Sequence, residues 1–207
     1  MASLRQALRP HAALSHSALP WETDVMGETA KTSAQLRAAK RGDDAAFVDL
    51  FLAHESQLRL LACGVLRDPG LVDDALQETA LRAFRSLGRF RGEARLSTWL
   101  HRITYRVCLD LLAEARRQVT LAERAHAAAA WASDPEALLD DQARLAEALT
   151  GLSPQQRAVV VVVLQLGFDL RSAATILAVP RGTVASRLHA ARQALMAALT
   201  TEEERHV

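Results

Sequence analysis

DLRSAATILAVPRGTVASRLHAARQAL, residues Asp169 to Leu195, holds two short helical patterns joined by a turn. In the first, Leu170, Ala173, Ala174 and Leu177 recur three and four residues apart, which is one face of an α-helix. Ala178-Val179-Pro180 interrupts it, because proline lacks the N–H that would continue the ladder. A second pattern runs from about Gly182 to Ala198, with Val184, Leu188, Ala191 and Leu195 facing inward. Helix, tight turn, helix is the helix-turn-helix arrangement, whose second helix reads a DNA major groove.

The outward side of that second helix carries the matching chemistry. Thr183, Ser186, His189, Ala190 and Gln193 face out, with Arg187 at one border and Arg181 and Arg192 toward the other. From Arg157 to Arg192 there are five arginines (157, 171, 181, 187, 192) and one acid, Asp169, a local charge of +4 in a chain of net charge +1. Such a patch attracts phosphates while the helix reads bases. Amides around Gly182-Thr183-Val184 suit a phosphate at the helix start.

Upstream, Leu152-Ser153-Pro154 opens a helix: Ser153 suits the N-cap, Pro154 the first turn and Gln156 a capping box, while Gly167 suits the stop. Val159 to Val163 is a run of five valines that would ordinarily suggest a strand. The helical start and stop signals and the lack of a partner strand favour helix. This second domain spans residues 148–199, followed by an acidic tail at 200–207.

Residues 33–118 form the first domain and read almost wholly as helix. Ala46, Phe47, Leu50 and Phe51 begin one apolar stripe, continued by Leu58, Leu61, Ala62 and Val65. Asp68-Pro69-Gly70 is a turn. A helix from about Val72 to Leu87 turns Leu76, Ala80, Ala83, Phe84 and Leu87 inward. A long helix to Arg117 buries Leu100, Ile103, Val107 and Leu111. Arg95, Arg106 and Arg117 recur every eleven residues, about three turns, and Arg102 lies one turn from Arg106. Trp99 and Tyr105 are interleaved with this basic stripe. Arginine beside aromatics suits single-stranded nucleic acid, where bases stack and phosphates pair. Trp99, next to Leu100, reads first as core, and Tyr105 as the exposed ring. Asp73, Asp74, Gln77 and Glu78 make a polar, mainly acidic surface on the preceding helix, read first as a solvated face.

Residues 119–147 hold six acids against two arginines and read as a linker. Residues 1–32, with Pro10, Pro20 and Gly27, read as a disordered extension in which Met26 is an alternative start. The chain has 207 residues, half of them hydrophobic, enough for a core. Its near-neutral balance excludes a polybasic protein. Cys63 and Cys108 make no CxxC pair and read as small core residues. The histidines lack metal-site spacing, so no metal and no cofactor is expected. No nucleophile elbow, phosphate-binding loop, dinucleotide fingerprint or zinc-protease motif occurs, so no enzyme is expected. The longest aliphatic run, Ala158 to Leu164, is far too short for a membrane span. With no secretory signal, a cytoplasmic protein without membrane insertion is the expectation.

Four segments together resemble the extracytoplasmic-function group of bacterial sigma factors, in the sigma-70 family. "VPRGTVASRLHAARQAL", Val179 to Leu195, is similar to the family's recognition helix. "RFRGEARLSTWLHRITYRVCLDLL", Arg89 to Leu112, resembles its promoter-melting segment, and "DDALQETALRAFRSL", Asp73 to Leu87, its polymerase-docking helix. "LSPQQRAVVVV", Leu152 to Val162, opens the second domain as the family does. The resemblance implies an all-α, two-domain initiation factor. Core RNA polymerase would be bound through Asp74, Gln77 and Glu78. The −10 promoter element would be read and opened by Arg95, Trp99, Arg102, Tyr105, Arg106 and Arg117. The −35 element would be read by Arg181, Gly182, Thr183, Ser186, Arg187, His189 and Arg192. It also implies an anti-sigma factor as partner. Arg106 stands where the family usually has Asn, Ala190 where Arg is common, Ser172-Ala173 for a usual Glu-Ile pair, and Ala80 for a larger apolar residue. A stand-alone helix-turn-helix regulator is the rival; it accounts for the second domain but not for the order of features from Asp73 to Arg117. A module that only binds other proteins is the third reading.

Overall fold

The computed structural model describes residues 25–123 and 151–203. The first domain contains α1 (Val25–Lys40), α2 (Asp44–Leu66), α3 (Pro69–Ser86), a 3-10 turn (Leu87–Arg89) and α4 (Leu96–Glu123). The second contains α5 (Pro154–Val160), a π-helical turn (Val161–Gln165), α6 (Leu170–Leu177) and α7 (Arg181–Glu203). Among the described residues there is no strand, and the architecture is all-α in two helical domains.

Short polar side chains set most helix starts. Asp43 accepts the Ala46 N–H at 3.0 Å, and Asp68 accepts the Gly70 N–H at 2.9 Å with Pro69 in the first turn of α3. Ser153 and Gln156 close the expected capping box. Asp169 accepts the Ser172 N–H at 2.6 Å, which holds its carboxyl below the usual range. Each bond satisfies an amide that the helix itself leaves unpaired. The valine run is helical but irregular. After Val160 the ladder widens into one π turn, and Gly167 ends it at φ 70, a left-handed conformation that glycine adopts without steric penalty.

Three helices outrun their expected bounds. α1 begins at Val25, inside the expected disordered extension; Gly27 weakens that helix without stopping it. α4 continues to Glu123 and α7 to Glu203, into the expected linker and acidic tail. Neither stretch holds a glycine or proline, so nothing interrupts propagation. The rest of those expectations, at residues 1–24, 124–150 and 204–207, lies outside the described residues.

The apolar stripes are buried largely as their spacing predicts. Leu58, Leu61 and Val65 of α2, Val72 and Ala75 of α3, and Leu100 and Val107 of α4 form the first domain's core. Val159, Val162, Ile176 and Val184 are buried in the same continuous cluster. The two domains are therefore packed on each other: α2 lies against α5 and the π turn, and α4 lies along α6. A smaller cluster of Leu152, Val160, Ala191 and Leu195 ties α7 to α5.

Candidate nucleic-acid interface

Helix α7 is built as its period requires. Val184, Leu188, Ala191 and Leu195 are buried. Arg181, Gly182, Ser186 and His189 are exposed at its N-terminal half, while Thr183, Arg187 and Arg192 are half-buried. Pro180 starts the helix, its carbonyl accepting the amides of Thr183 and Val184. The turn before it is made by Ala178 at φ 53. The Ser186 hydroxyl donates to the Thr183 carbonyl at 3.1 Å. The Arg192 Nε is buried without a hydrogen-bond partner. One member of the basic patch is misplaced by the sequence reading. Arg157 is 8% exposed and donates to main-chain carbonyls, so it is structural and unavailable to phosphate.

On α4, Arg95, Arg102, Arg106 and Arg117 are all exposed. At about 100° per residue they fall within an arc of about 60°. Arg95 stands just before the helix and its carbonyl accepts the Trp99 N–H at 3.1 Å. Arg117 bonds Glu114 one turn away. Trp99 is half-buried, its ring tilted on Phe90 at 5.1 Å, as a wall of the core.

Tyr105 is the correction. Its expected exposed ring is 3% accessible. It borders the basic stripe on the helix surface, but it is buried in the core cluster that both domains share. Burial raises its phenol, an effect that the nearby charge of Arg187 opposes. His101, one turn earlier, is fully buried and stands edge-on to Phe168 at 4.9 Å. Its Nδ1 lies 2.7 Å from the Ser97 carbonyl, and its Nε2 has no partner. Burial pushes the imidazole down to about 4, so it is neutral near pH 7. His101 was missed by sequence reasoning. A histidine in an otherwise apolar stripe is silent until a second domain covers it.

The expected docking residues lie on α3. Asp74 and Gln77 are exposed. Glu78 is half-buried and accepts from Arg82 Nε at 2.6 Å, while Arg82 also reaches Asp110 of α4 at 2.6 Å. Both bonds hold the Arg82 guanidinium above its ordinary value, Asp110 first. Phe84, expected inward, is 47% exposed, its ring edge-on to Phe47 at 5.2 Å. Leu81 on α3 and Val48 and Leu52 on α2 are exposed too. Gln77, Leu81 and Phe84 are spaced by four and three, the signal by which this mixed face could have been found. Cys63 is exposed, against the expectation of a core residue. Cys108 is buried, and its thiol is pushed up to about 12. Among the described residues no group of side chains could hold a metal ion, and no helix is long and apolar enough to cross a membrane.

Comparison with known proteins agrees with this layout. The family "Sigma-70 region 2" matches residues 50–118, and "Sigma-70, region 4" matches residues 142–195. The ECF RNA polymerase sigma factor SigM of Mycobacterium tuberculosis is 39% identical over 171 residues, 82% of this chain and 85% of the relative. The RNA polymerase sigma-H factor of Pseudomonas aeruginosa is 30% identical over 172 residues, 77% of this chain and 89% of that one. Among solved structures, CnrH in complex with the cytosolic domain of CnrY shares 26% identity at a TM-score of 0.63, covering 83% of this chain and 98% of that chain. The sigma factor RpoE in complex with the anti-sigma factor NepR from Bartonella quintana shares 25% identity at 0.63, covering 74% and 96%. With an acidic-faced helix, a basic helix and a helix-turn-helix in order on one chain, these matches make it a member of the sigma-70 family, an RNA polymerase sigma factor of the extracytoplasmic-function type.

Proposed function

We propose that the two exposed basic surfaces divide promoter recognition between them. Arg95, Arg102, Arg106 and Arg117 hold the −10 region by its phosphates, with the half-buried Trp99 beside them as the aromatic partner of unstacked bases, while the buried Tyr105 supports the helix from within. Arg181, Gly182, Thr183, Ser186, Arg187, His189 and Arg192 read the −35 element in the major groove. The observation that carries this reading is the exposed arginine stripe along α4. Asp74 and Gln77, with Leu81 and Phe84 beside them, dock core RNA polymerase, and Glu78 supports that face through Arg82. An aromatic and an aliphatic anchor rimmed by acids suits a partner helix of basic, amphipathic character.

On this reading the chain is not an enzyme; the polymerase does the chemistry and this chain supplies position. Promoter DNA, core polymerase and an anti-sigma factor are its partners, and the cytoplasm is its place of work. The test is run-off transcription with core polymerase and genomic promoter fragments. Discrete transcripts that need this chain support the reading. Replacing Arg102 and Arg106 by Ala lowers promoter opening, and replacing Ser186 and His189 alters which −35 sequences are used. A chain that neither binds core polymerase nor yields transcripts refutes it.

A further inference from the structure

We propose that the cleft at the end of α2 is a binding site for a small anionic amphiphile, its charged head against Arg67 and Arg157 and its apolar body against Leu60, Val72, Val160 and Val161. These six residues, among others, line a cleft of about 530 Å³ whose surface is mostly apolar. Small-molecule sites are concave, hold about 300–1,000 Å³ and combine apolar walls with a few polar groups that fix orientation. A well-packed interior leaves few voids larger than a water molecule, so a space of this size beside a domain core is an exception with room for a ligand.

The charges around the cleft say what kind of ligand. Arg59 is matched by Asp73 at 2.7 Å and Glu55 at 3.0 Å, and Asp68 is engaged as the cap of α3. Arg67 and Arg157 have no ion pair among the described residues. Arg157 is 8% exposed, and buried charges are as a rule paired. Its donors meet the carbonyls of Gly64, Val65 and Leu152. Those carbonyls are dipoles, so the full positive charge stays in place. They occupy three of its N–H groups, and a guanidinium has five. Burial first, and then the charge of Arg67, disfavours the ionised form of Arg157. An anion between the two guanidiniums relieves both effects. The local chain places both arginines deliberately. Arg67 ends α2 at φ 60, a left-handed position that glycine ordinarily takes at a helix end. Arginine accepts a steric cost there that glycine avoids, and its side chain lines the cleft. Gly64, one turn earlier, does the reverse. A Cβ there would collide with Val161 Cγ2, so the missing side chain lets the second domain come close enough for Arg157 to reach the last turn of α2.

Cys63 is a built-in reporter, because it lines the cleft and is exposed, while Cys108 is buried. The probe is decanoate, with 1-decanol and decylamine as its neutral and cationic analogues, each added to the full chain. Equilibrium dialysis gives the dissociation constant, and alkylation of Cys63 by iodoacetamide, followed by mass spectrometry, gives the location. Decanoate should bind saturably and slow Cys63 alkylation in step with its occupancy. Decanol should bind about tenfold more weakly, the loss of one charge-assisted hydrogen bond, and decylamine should not bind. Arg67→Met removes a half-buried guanidinium that makes no hydrogen bond or ion pair among the described residues. It should weaken decanoate about tenfold as well, and Arg67→Lys should restore most of the loss. Leu60→Trp, at a position 40% exposed, should fill the cleft and abolish binding with the circular dichroism unchanged. Decanol binding as tightly as decanoate overturns the proposal, and so does non-saturable uptake. Unchanged alkylation of Cys63 at saturating decanoate, or an Arg67→Met chain that binds decanoate like wild type, overturns it equally. Neither readout involves polymerase or DNA, so its failure is distinct from a failure of the promoter reading.

Discussion

Replacing Arg157 by Met keeps the stem of the side chain and deletes its five donors. Three carbonyls, those of Gly64, Val65 and Leu152, then lose their partners at once. A buried carbonyl left unpaired costs about 1–3 kcal/mol, so the gross loss is about 3–9 kcal/mol. Two terms offset it. Burial and the neighbouring charge of Arg67 already disfavour this guanidinium, lowering it from its ordinary value, and the variant relieves that desolvation. The cleft beside it also lets water reach carbonyls that a closed core would strand. The expected net loss is about 2–4 kcal/mol of stability, toward the low end of the gross range. Urea unfolding followed by far-UV circular dichroism checks this. The wild type, with one continuous core, should unfold in a single transition; the Met variant should split it, the second domain melting first. Arg157→Lys should fall between, because an ammonium is a point charge and cannot span the fork. A Met variant within about 0.5 kcal/mol of wild type, the size of an ordinary surface substitution, and still melting in one step would refute this account.

The neutral burial of His101 makes stability fall in mild acid. Its folded value of about 4 lies below the ordinary 6.5, so the unfolded chain takes up the proton first as pH drops. Stability is full above about pH 6.5 and declines toward pH 4, by about 2 kcal/mol at pH 5 at about 1.4 kcal/mol per unit; urea midpoints from pH 7 to 4.5 should show this slope, and His101→Gln should flatten it. Replacing Arg106 by Ala should weaken promoter binding by the complete polymerase and reduce the slope of log affinity against log salt by about 0.7–0.9, one phosphate contact on single- or double-stranded DNA, in filter-binding titrations. Ser153→Ala removes one half of the α5 capping box and should lower thermal stability by about 1 kcal/mol, with transcription at low temperature unchanged. Phe84→Ala should weaken core polymerase binding while leaving the melting temperature close to wild type, because the ring is half in solvent; a large drop in melting temperature would mean that its contact with Phe47 serves the core instead.

Each domain's internal order was legible because it is local. The stripe Val184, Leu188, Ala191, Leu195 is buried as its spacing requires, and the Ser153–Gln156 box and Asp169 start the helices they should. The arginines of α4 share an exposed side because a helix turns about 100° per residue whatever surrounds it. Phe84 was misread for a related reason. It falls near the edge of an apolar arc, and periodicity assigns an edge residue inward unless the neighbouring helix leaves it outside.

What the sequence determined by itself is the helical content, the caps, the division into two domains and which charges each carries, since these follow from residues within a few turns of one another. The tertiary structure alone decided the fate of residues whose partners are far along the chain. Tyr105 is buried in the cluster that both domains share, His101 loses its charge to burial at a site where Phe168 of the second domain stands against it, and Arg157 leaves the DNA-facing set because the carbonyls of α2 claim its donors. Spacing sets a side chain's angle around its own helix. What it faces depends on contacts spanning 92 or 93 residues, as between Arg157 and Val65 or Gly64, and no periodicity encodes those.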